Sequence, residues 1–335
     1  MINRLYDYIK IPSVSGDEKA LRDRIIEDIK DYCNYKVDRL GNIIAEKKGE
    51  NKAKIKLQLD AHMDEIGFII TYITDDGYLK FAPVGGIDTR VAFGRRVRIG
   101  ETVGVIGAKP VHLLDSGETD KVIGFDDLYI DIGAKTKAEA QTKISLGDTA
   151  VFDYYYRIMG DSICGRGIDD KAGCVILVEM IRSNLPYDMT FTFTCGEEVG
   201  CRGANAAAFG VQAESAIVVE STTASDIHGV SGANRVCVQG NGAVVSFMDN
   251  GAVYDRGYFK SALECKSKTQ VKSAVAGGNN SSAIHKSHSG VRTLALSVPC
   301  RYIHSQCSVA KISDIQSVYE TALEMATKIA SGEMD

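Results

Sequence analysis

The order of predicted strands and helices constrains the fold more than any other feature of this sequence. Strands are predicted at four apolar runs, 54–59, 189–194, 215–219 and 293–298. Helices are predicted at about 17–32, 171–183, 204–209 and 313–329, and Ser15 and Glu18 have the spacing of a capping box for the first of them. Since strands that alternate with helices form a sheet covered on both faces, we expect an α/β fold with a largely parallel sheet.

One segment, from about residue 67 to residue 157, has a different character. Short alternating runs such as Phe68–Ile73 and Thr102–Ile106 are separated there by glycine-rich turns, which is typical of a small β domain. The 335 residues also exceed what one hydrophobic core usually organises. We therefore predict an α/β domain formed by residues 1–66 and 159–335, with residues 67–158 inserted as a small β-rich domain.

Charge and composition exclude several classes of partner. A net charge of −5 provides no basic face for nucleic acid, and no apolar run approaches the roughly 20 residues of a membrane span. The charged N-terminus lacks the apolar stretch of a secretory signal. The nine cysteines are odd in number and include no C-x-x-C pair. We expect these cysteines to be reduced thiols and the protein to be cytoplasmic.

Possible metal ligands occur where predicted strands end or a helix begins. They are His62 with Asp64, Asp169 with Asp170, Glu197 with Glu198, Glu220, and His304. In an open α/β sheet the carboxyl ends of parallel strands meet along one crevice, where ligands bind. We therefore expect His62, Asp169, Glu198, Glu220 and His304 to converge on a metal site.

Each of these residues taken alone also has an ordinary explanation. Asp169 and Asp170 could cap the following helix, Glu220 could be a solvated strand end, and His304 could be a hydrogen-bonded core histidine. The adjacent carboxylates of Glu197 and Glu198 have only Arg202 nearby as a counter-charge. Because like charges this close require a counter-ion, the set as a whole favours metal binding.

Carboxylate and imidazole ligands without thiolates suit zinc, cobalt or manganese. One bridging carboxylate with two ligands on each side would hold two such ions, which is an arrangement used for hydrolysis. Because neighbouring side chains of an extended segment point in different directions, one of Glu197 and Glu198 can bind metal while the other acts as a general base. Asp64 can orient the imidazole of His62.

These residues lie in segments that resemble the M42 family of metallo-aminopeptidases, which includes glutamyl aminopeptidases, tetrahedral aminopeptidases and proteins once labelled endoglucanases. The segments that carry the resemblance are 61–68, 84–88, 109–113, 167–174, 195–200 and 298–305. They occur in the family's order, and the likeness extends over nearly the whole chain.

The resemblance implies a role for each residue of the site. Asp169 would bridge two divalent metal ions, one held by His62 and Glu220 and the other by Glu198 and His304. The resemblance implies Glu197 as the general base. It further implies a zinc-peptidase-like catalytic domain, a PDZ-like oligomerisation domain at 67–158, and a homododecamer whose active sites face an inner chamber.

This chain departs from the family pattern at two positions. Glu220 stands where the family usually has aspartate, which preserves the charge and donor atom but adds one methylene. Asn280 stands where the family has an acid, in the Gly277–Asn280 stretch. We expect Asn280 to lie near the substrate pocket, where the lost charge would alter the substrate preference.

The resulting hypothesis is an aminopeptidase that removes N-terminal residues from peptides with a free N-terminus. A metal-activated bridging water would attack the peptide bond, with Glu197 as general base. A metal-dependent deacylase or amidase acting on small N-acyl compounds is the alternative, and a homologue that has lost catalysis is a further one. A glycosidase is disfavoured because the acids would be committed to metal.

Overall fold

The computed structural model describes residues 1–115, 117, 122–153 and 156–334. Residues 116, 118–121 and 154–155 of the predicted insert, and residue 335, lie outside the described residues. None of the helices in the described ranges combines the length and the apolar character needed to cross a membrane.

The strands and helices of the described residues follow in chain order. The strands are β1 (Asn34–Val37), β2 (Ile43–Lys47), β3 (Leu57–His62), β4 (Gly67–Ile73), β5 (Leu79–Val84), β6 (Arg96–Ile99), β7 (Thr102–Gly107), β8 (Tyr129–Asp131), β9 (Thr149–Phe152), β10 (Tyr156–Met159), β11 (Ser162–Gly165), β12 (Met189–Thr194), β13 (Ser215–Thr223), β14 (Ala243–Val245), β15 (Thr269–Val271), β16 (Arg292–Arg301) and β17 (Ser308–Lys311). The helices are α1 (Ile2–Lys10), α2 (Lys19–Ile29), α3 (Thr89–Ala92), α4 (Lys137–Gln141), α5 (Ile168–Arg182), α6 (Arg202–Val211), α7 (Arg256–Leu263), α8 (Ser281–Ile284) and α9 (Ile312–Ala330).

The large sheet has 11 strands, with the order β1-β2-β12-β3-β13-β16-β17-β11-β10 and with β14 and β15 beside β16. The central strands β12, β3, β13 and β16 are parallel to one another. β2 pairs antiparallel with β12 and β17 pairs antiparallel with β16, and β1, β11 and β10 continue the two edges with further antiparallel pairs. The sheet is therefore mixed rather than largely parallel, because short hairpins and return strands extend both edges of the parallel centre.

Both faces of the sheet centre are covered, which explains its continuous apolar runs. Along β13, Ile217 and Val219 join the main core with helices α1, α2, α5 and α9. Ala216 and Val218 point to the opposite face, where they pack with α6 and α8. This two-sided burial is what the sequence predicted from strands that alternate with helices.

Strands β4 to β9 close into a separate six-stranded barrel in the order β4-β5-β8-β7-β6-β9. Its core contains Phe68, whose ring meets those of Phe81 and Phe152 edge-on at centroid distances of 5.0 and 5.3 Å. The barrel strands lie within the predicted insert of residues 67–158. Residues 156–158 of that insert instead belong to β10 of the large sheet. The PDZ likeness and the oligomerisation role of the insert stay predictions.

Two local predictions differ from the structure. The helix after Ser15 begins at Lys19 without a side-chain cap, and Ser15 Oγ donates instead to Asp64 at 2.6 Å. Cys164 and Cys307 form a disulfide, although the sequence predicted only thiols. They are 143 positions apart, and the pairing of Gly165 in β11 with Ser308 in β17 brings them together. The cytoplasmic location, inferred partly from the cysteines, stays a prediction.

Candidate metal centre

His62, at the end of β3, faces two carboxylates at the edge of the central sheet. Its Nε2 lies 3.4 Å from Asp169 Oδ1 and 3.2 Å from Glu220 Oε1. All three side chains are buried, and their possible ligand atoms lie within 4.8 Å of one another. These atoms form the first group that could hold one cation.

A second group shares Asp169. The Nε2 atom of His304 lies 3.3 Å from Asp169 Oδ2 and 3.3 Å from Glu198 Oε1. Asp169 therefore presents one carboxylate oxygen to each histidine, and Asp169, Glu198 and His304 again have possible ligand atoms within 4.8 Å of one another. The five residues predicted as ligands thus converge, with Asp169 between the two groups. Their roles as metal ligands stay predictions.

The central parallel strands explain why residues so distant in sequence meet. Strand β13 lies between β3 and β16, so Glu220 of β13 is close to His62 at the end of β3 and to the loop after β16 that carries His304. The sequence placed Glu220 just beyond its strand, whereas β13 continues to Thr223. Asp169 lies in the first turn of α5.

Asp64 holds the Glu197-Glu198 turn in place. Its Oδ1 accepts the backbone N–H of Glu197 at 2.9 Å, and its Oδ2 accepts that of Glu198 at 3.1 Å. The predicted contact to His62 also exists, because the Asp64 backbone carbonyl lies 2.9 Å from His62 Nδ1. Asp64 therefore contacts both a histidine of the first group and the turn that carries Glu198.

Glu197 belongs to neither group of ligands, although it lines the same cavity. The thiol of Cys201 lies 3.7 Å from its Oε1 and can donate a weak hydrogen bond. Burial is the main cause that raises the pKa of Glu197 above its usual value. A carboxylate of raised pKa that is not needed as a ligand is suited to accept and return a proton.

The centre contains four carboxylates, those of Asp169, Glu197, Glu198 and Glu220, and only two imidazoles. Burial and the nearby Asp169 raise the pKa of Glu198 to about 8. Asp169 Oδ1 and Glu198 Oε1 are buried without a hydrogen-bond partner among the described residues. Buried acceptors without donors are rare in folded proteins and require an explanation. Divalent cations would supply the missing partners, so the donor set fits such ions.

The barrel contributes to the site through the turn after β5, which the sequence did not predict. The carbonyl oxygen of Gly86 lies 2.8 Å from His304 Nδ1 and can fix the orientation of that ring. A Cβ atom at Gly85 would lie 2.6 Å from Ile66 Cγ2 and 3.3 Å from Glu198 Cβ. The adjacent glycines were the only sequence signal of this close approach.

Asn280 does not lie where the sequence predicted. Its side chain is fully buried and donates to Asp60 Oδ2 and Thr194 Oγ1, each at 2.8 Å. The cavity beside the metal groups is lined instead by Gly277, Gly278 and Asn279 of the same stretch. The expectation that Asn280 alters the charge of the pocket is therefore wrong, because its side chain points beneath the sheet edge into the interior.

The cavity has a volume of about 440 Å³ and opens directly onto both ligand groups. Its remaining wall comes from the end of β13 and from the segment after β15, with Thr222, Thr223, Lys272 and Ala274 among the lining residues. Such a space accommodates an amino-acid side chain beside the metal groups.

Comparisons with known proteins match this chain to aminopeptidases over nearly its full length. The model of the M42 glutamyl aminopeptidase family matches residues 41–320. A candidate aminopeptidase of Acetivibrio thermocellus is 35% identical over 331 residues, which cover 97% of this chain and 98% of that protein. The lysyl aminopeptidase of Pyrococcus furiosus is 28% identical, with 94% of this chain and 93% of that protein covered.

Among solved structures, the TET1 peptidase of Pyrococcus horikoshii superposes with a TM-score of 0.83 and 35% identity. The match covers 98% of each chain. That peptidase is described as able to assemble into a tetrahedron or a large octahedral shell.

Proposed function

This chain belongs to the M42 family of aminopeptidases, and we propose that it removes N-terminal residues from peptides with the help of two divalent metal ions. The observation that supports two ions most directly is the position of Asp169, with one carboxylate oxygen facing His62 and the other facing His304. A single cation would use one of these groups and leave the other without a counter-charge.

In this proposal His62 and Glu220 would hold one ion, Glu198 and His304 would hold the other, and Asp169 would belong to both ligand sets. Zinc, cobalt and manganese fit this set of oxygen and nitrogen donors. When bound, such ions polarise a peptide carbonyl and make water a better nucleophile at neutral pH. The extra methylene of Glu220 is compatible with this role, since its Oε1 reaches within 3.2 Å of His62 Nε2.

Glu197 is the proton carrier of the proposed reaction. Its carboxylate takes a proton from the attacking water and passes that proton to the nitrogen of the leaving amine. Asp64 positions Glu197 for this role by accepting its backbone N–H, and Ser15 in turn donates to Asp64. The peptide bond is broken once the amine nitrogen has received the proton.

We also propose that the chain forms a homododecamer in the cytoplasm, with the barrel as its oligomerisation domain. The shell-forming TET1 relative supports a large closed assembly. An enclosed set of active sites would admit peptides and exclude folded proteins.

The substitution Glu197→Gln tests the reaction. It should lower turnover of free peptides roughly 10²- to 10⁴-fold, because a positioned base is removed. Metal analysis should still find two ions per chain, because Glu197 is not a ligand in this proposal. Glu50→Gln, at an exposed position, is the matched control and should retain activity.

Turnover of the Glu197→Gln variant at the wild-type rate would overturn the role of Glu197. Peptides with an acetylated N-terminus should resist the wild-type enzyme. Efficient cleavage of such blocked peptides would instead favour an amidase.

A further inference from the structure

The two histidines of the metal centre differ in how firmly the fold holds them. His62 lies at the end of the central strand β3, and 2% of its side chain is exposed. His304 lies in the hairpin loop 302–307 between β16 and β17, and 35% of its side chain is exposed. The position of His304 therefore depends on what holds this loop.

The backbone conformation of the loop is unfavourable by itself. Tyr302 and His304 have φ angles of +57° and +58°, in the left-handed region that residues with a Cβ atom rarely adopt. Ser305 Oγ donates to the carbonyl of Tyr302 at 2.6 Å and accepts the N–H of Cys307 at 3.3 Å, so these bonds stay inside the loop. The loop needs an attachment to another segment to keep this shape.

The disulfide found in the fold supplies such an attachment. It joins Cys307 of the loop to Cys164 of β11, with the two Cα atoms 5.9 Å apart. Strand β11 lies between β17 and β10 in the large sheet, and Cys164 is buried. The disulfide therefore ties the loop that carries His304 to a fixed point of the sheet.

The other polar attachments of the loop all belong to the ring of His304. Among the described residues, the polar contacts of residues 302–307 beyond the hairpin are those of His304 with the Gly86 carbonyl at 2.8 Å and with the carboxylates of Asp169 and Glu198. These contacts exist only while the ring is already in place. Without the disulfide, the loop would be held by the same contacts that it has to position.

The two sulfurs of the disulfide differ in their exposure. Cys164 is 4% exposed, whereas Cys307 is half-buried at the surface. Because the rate of thiol–disulfide exchange depends on access to the attacked sulfur, Cys307 is the position that a reductant can reach.

Reduction by a dithiol proceeds in two balanced steps. A thiolate of the dithiol attacks Cys307 Sγ, the S–S bond breaks, and Cys164 leaves as a thiolate that takes up a proton. The second thiolate of the reductant then attacks the mixed disulfide, closes the reductant's own disulfide and releases Cys307, which is protonated in turn. Two electrons pass from the dithiol to the protein.

We propose that Cys164 and Cys307 form a site of reversible thiol–disulfide modification that controls the affinity of the ion held by Glu198 and His304. The disulfide keeps His304 beside Asp169, and reduction releases the loop, so that this ion is lost first. The inference rests on the proposed two-metal function. In the cytoplasm, where we propose that the protein acts, disulfides are usually transient and redox-sensing.

Metal titration of the full-length protein in its two redox states tests the proposal. One sample is treated with an oxidised dithiol and the other with the reduced dithiol, and the reagents are removed without oxygen. Alkylation after denaturation should label seven thiols in the oxidised sample and nine in the reduced one. In competition with a chromophoric chelator, reduction should weaken one of two zinc affinities roughly 10- to 100-fold, the usual effect of losing the support of a ligand. The other affinity should stay unchanged.

Two variants assign the effect to this pair of cysteines. The double variant Cys164→Ala with Cys307→Ala should show the weakened affinity after either treatment, because it has no bond to break and no thiol there to bind zinc. Cys33→Ser removes a free thiol elsewhere and is the matched control, which should respond to the dithiol as the wild type does. If the double variant does not fold, the wild type in its two redox states still decides the question.

Three results would overturn the proposal. The oxidised dithiol could fail to join Cys164 to Cys307, or the zinc affinities could be equal in the two redox states. An equal loss at both ions would also contradict it, because the disulfide would then support the whole domain rather than the loop of His304.

Hydrogen exchange separates this inference from the proposed function. With and without zinc, reduction should speed amide exchange in residues 302–307 and leave exchange in β3 unchanged. If the oxidised protein binds fewer than two ions, the two-metal function fails, and faster exchange confined to the loop would still support the role of the disulfide. Unchanged exchange in the loop would refute that role whether or not the chain is an aminopeptidase.

Discussion

The barrel and the large sheet differ most in what they bury. Between residues 67 and 152 the described part of the barrel buries apolar side chains only, around Phe68, Phe81 and Phe152. The large sheet buries many polar and charged side chains near its centre, among them Asp60, His62, Asp64 and Glu65. Every buried polar atom that lacks a partner in the described residues also belongs to the sheet domain.

This difference shows where each region obtains its stability. Burial of apolar surface stabilises the barrel without any further component. The sheet domain must balance buried charges against one another and, in the proposed metal centre, against cations. A region that retains buried charge at the cost of stability is a functional-site candidate on physical grounds. We therefore interpret the barrel as a structural support and the edge of the large sheet as the reactive site.

The largest expected effect concerns the buried ion cluster beneath the metal centre. Glu65 is fully buried and lies 2.8 Å from Lys171 Nζ and 3.3 Å from Arg166 Nε. Lys171→Met should reduce the free energy of unfolding by about 3–5 kcal/mol, because half of the counter-charge of a buried carboxylate is lost. Chemical denaturation measures the change.

The matched control is an exposed barrel lysine. Lys143→Met should change the free energy of unfolding by less than about 0.5 kcal/mol. A loss below about 1 kcal/mol in Lys171→Met would mean that the sheet domain does not depend on balanced buried charge, and the contrast between the two regions would not hold.

The turn of Gly85 and Gly86 tests whether the barrel is only a support. In Gly85→Ala the new methyl group would meet Ile66 and approach Glu198, and the backbone has a φ of +83°. We expect a loss of about 1–3 kcal/mol in stability and a roughly 10- to 100-fold loss in metal affinity. Competition with a chromophoric chelator measures the affinity.

Gly94→Ala is the control for Gly85→Ala, because it introduces similar backbone strain without a new contact to the metal centre. Gly94 has a similar φ of +77°, but a Cβ atom there would meet nothing within 4 Å. This control should lose stability and retain metal affinity. Equal metal affinity in the Gly85 and Gly94 variants would show that the barrel does not support the centre.

The smallest expected effect is a pH dependence in the helical layer of the sheet domain. Burial opposes ionisation of Asp28, but hydrogen bonds from Arg24 and Tyr8 outweigh it and lower its pKa below the ordinary 3.8. Between the lowered native pKa and the ordinary pKa of 3.8, the unfolded chain therefore binds more protons than the native chain. The stabilisation is complete above pH 3.8 and is lost as the pH falls through the native pKa.

We expect Asp28→Asn to cost about 1 kcal/mol near neutral pH and nothing measurable below the native pKa. Urea denaturation of both proteins across this range measures the difference. Hydrogen bonds from the side chain of Arg90 lower the pKa of Asp88, in an exposed pair on the barrel, to about 2, and Asp88→Asn serves as the comparison. A difference that persists at the lowest pH would point to lost packing rather than lost charge.

Several elements were predicted closely because their signals are local. The predicted strand 189–194 has the bounds of β12, and the predicted helix 313–329 differs from α9 by one residue at each end. The convergence of His62, Asp169, Glu198, Glu220 and His304 was also predicted, since the carboxyl ends of neighbouring parallel strands lie together, while their roles as metal ligands stay predictions. Periodicity and strand ends can be recognised within a short stretch of chain.

The sequence by itself determined the alternation of strands and helices, the β-rich character of the segment that forms the barrel, and which acidic and histidine side chains follow the strand ends. Only the tertiary structure decided that Asn280 points into the interior, that Cys164 meets Cys307, and that Gly86 contacts His304. It also decided that Lys272 lines the same cavity as the metal groups. The physical reason is that a residue's type and spacing are local properties, whereas its partners are fixed by the packing of segments distant in the chain.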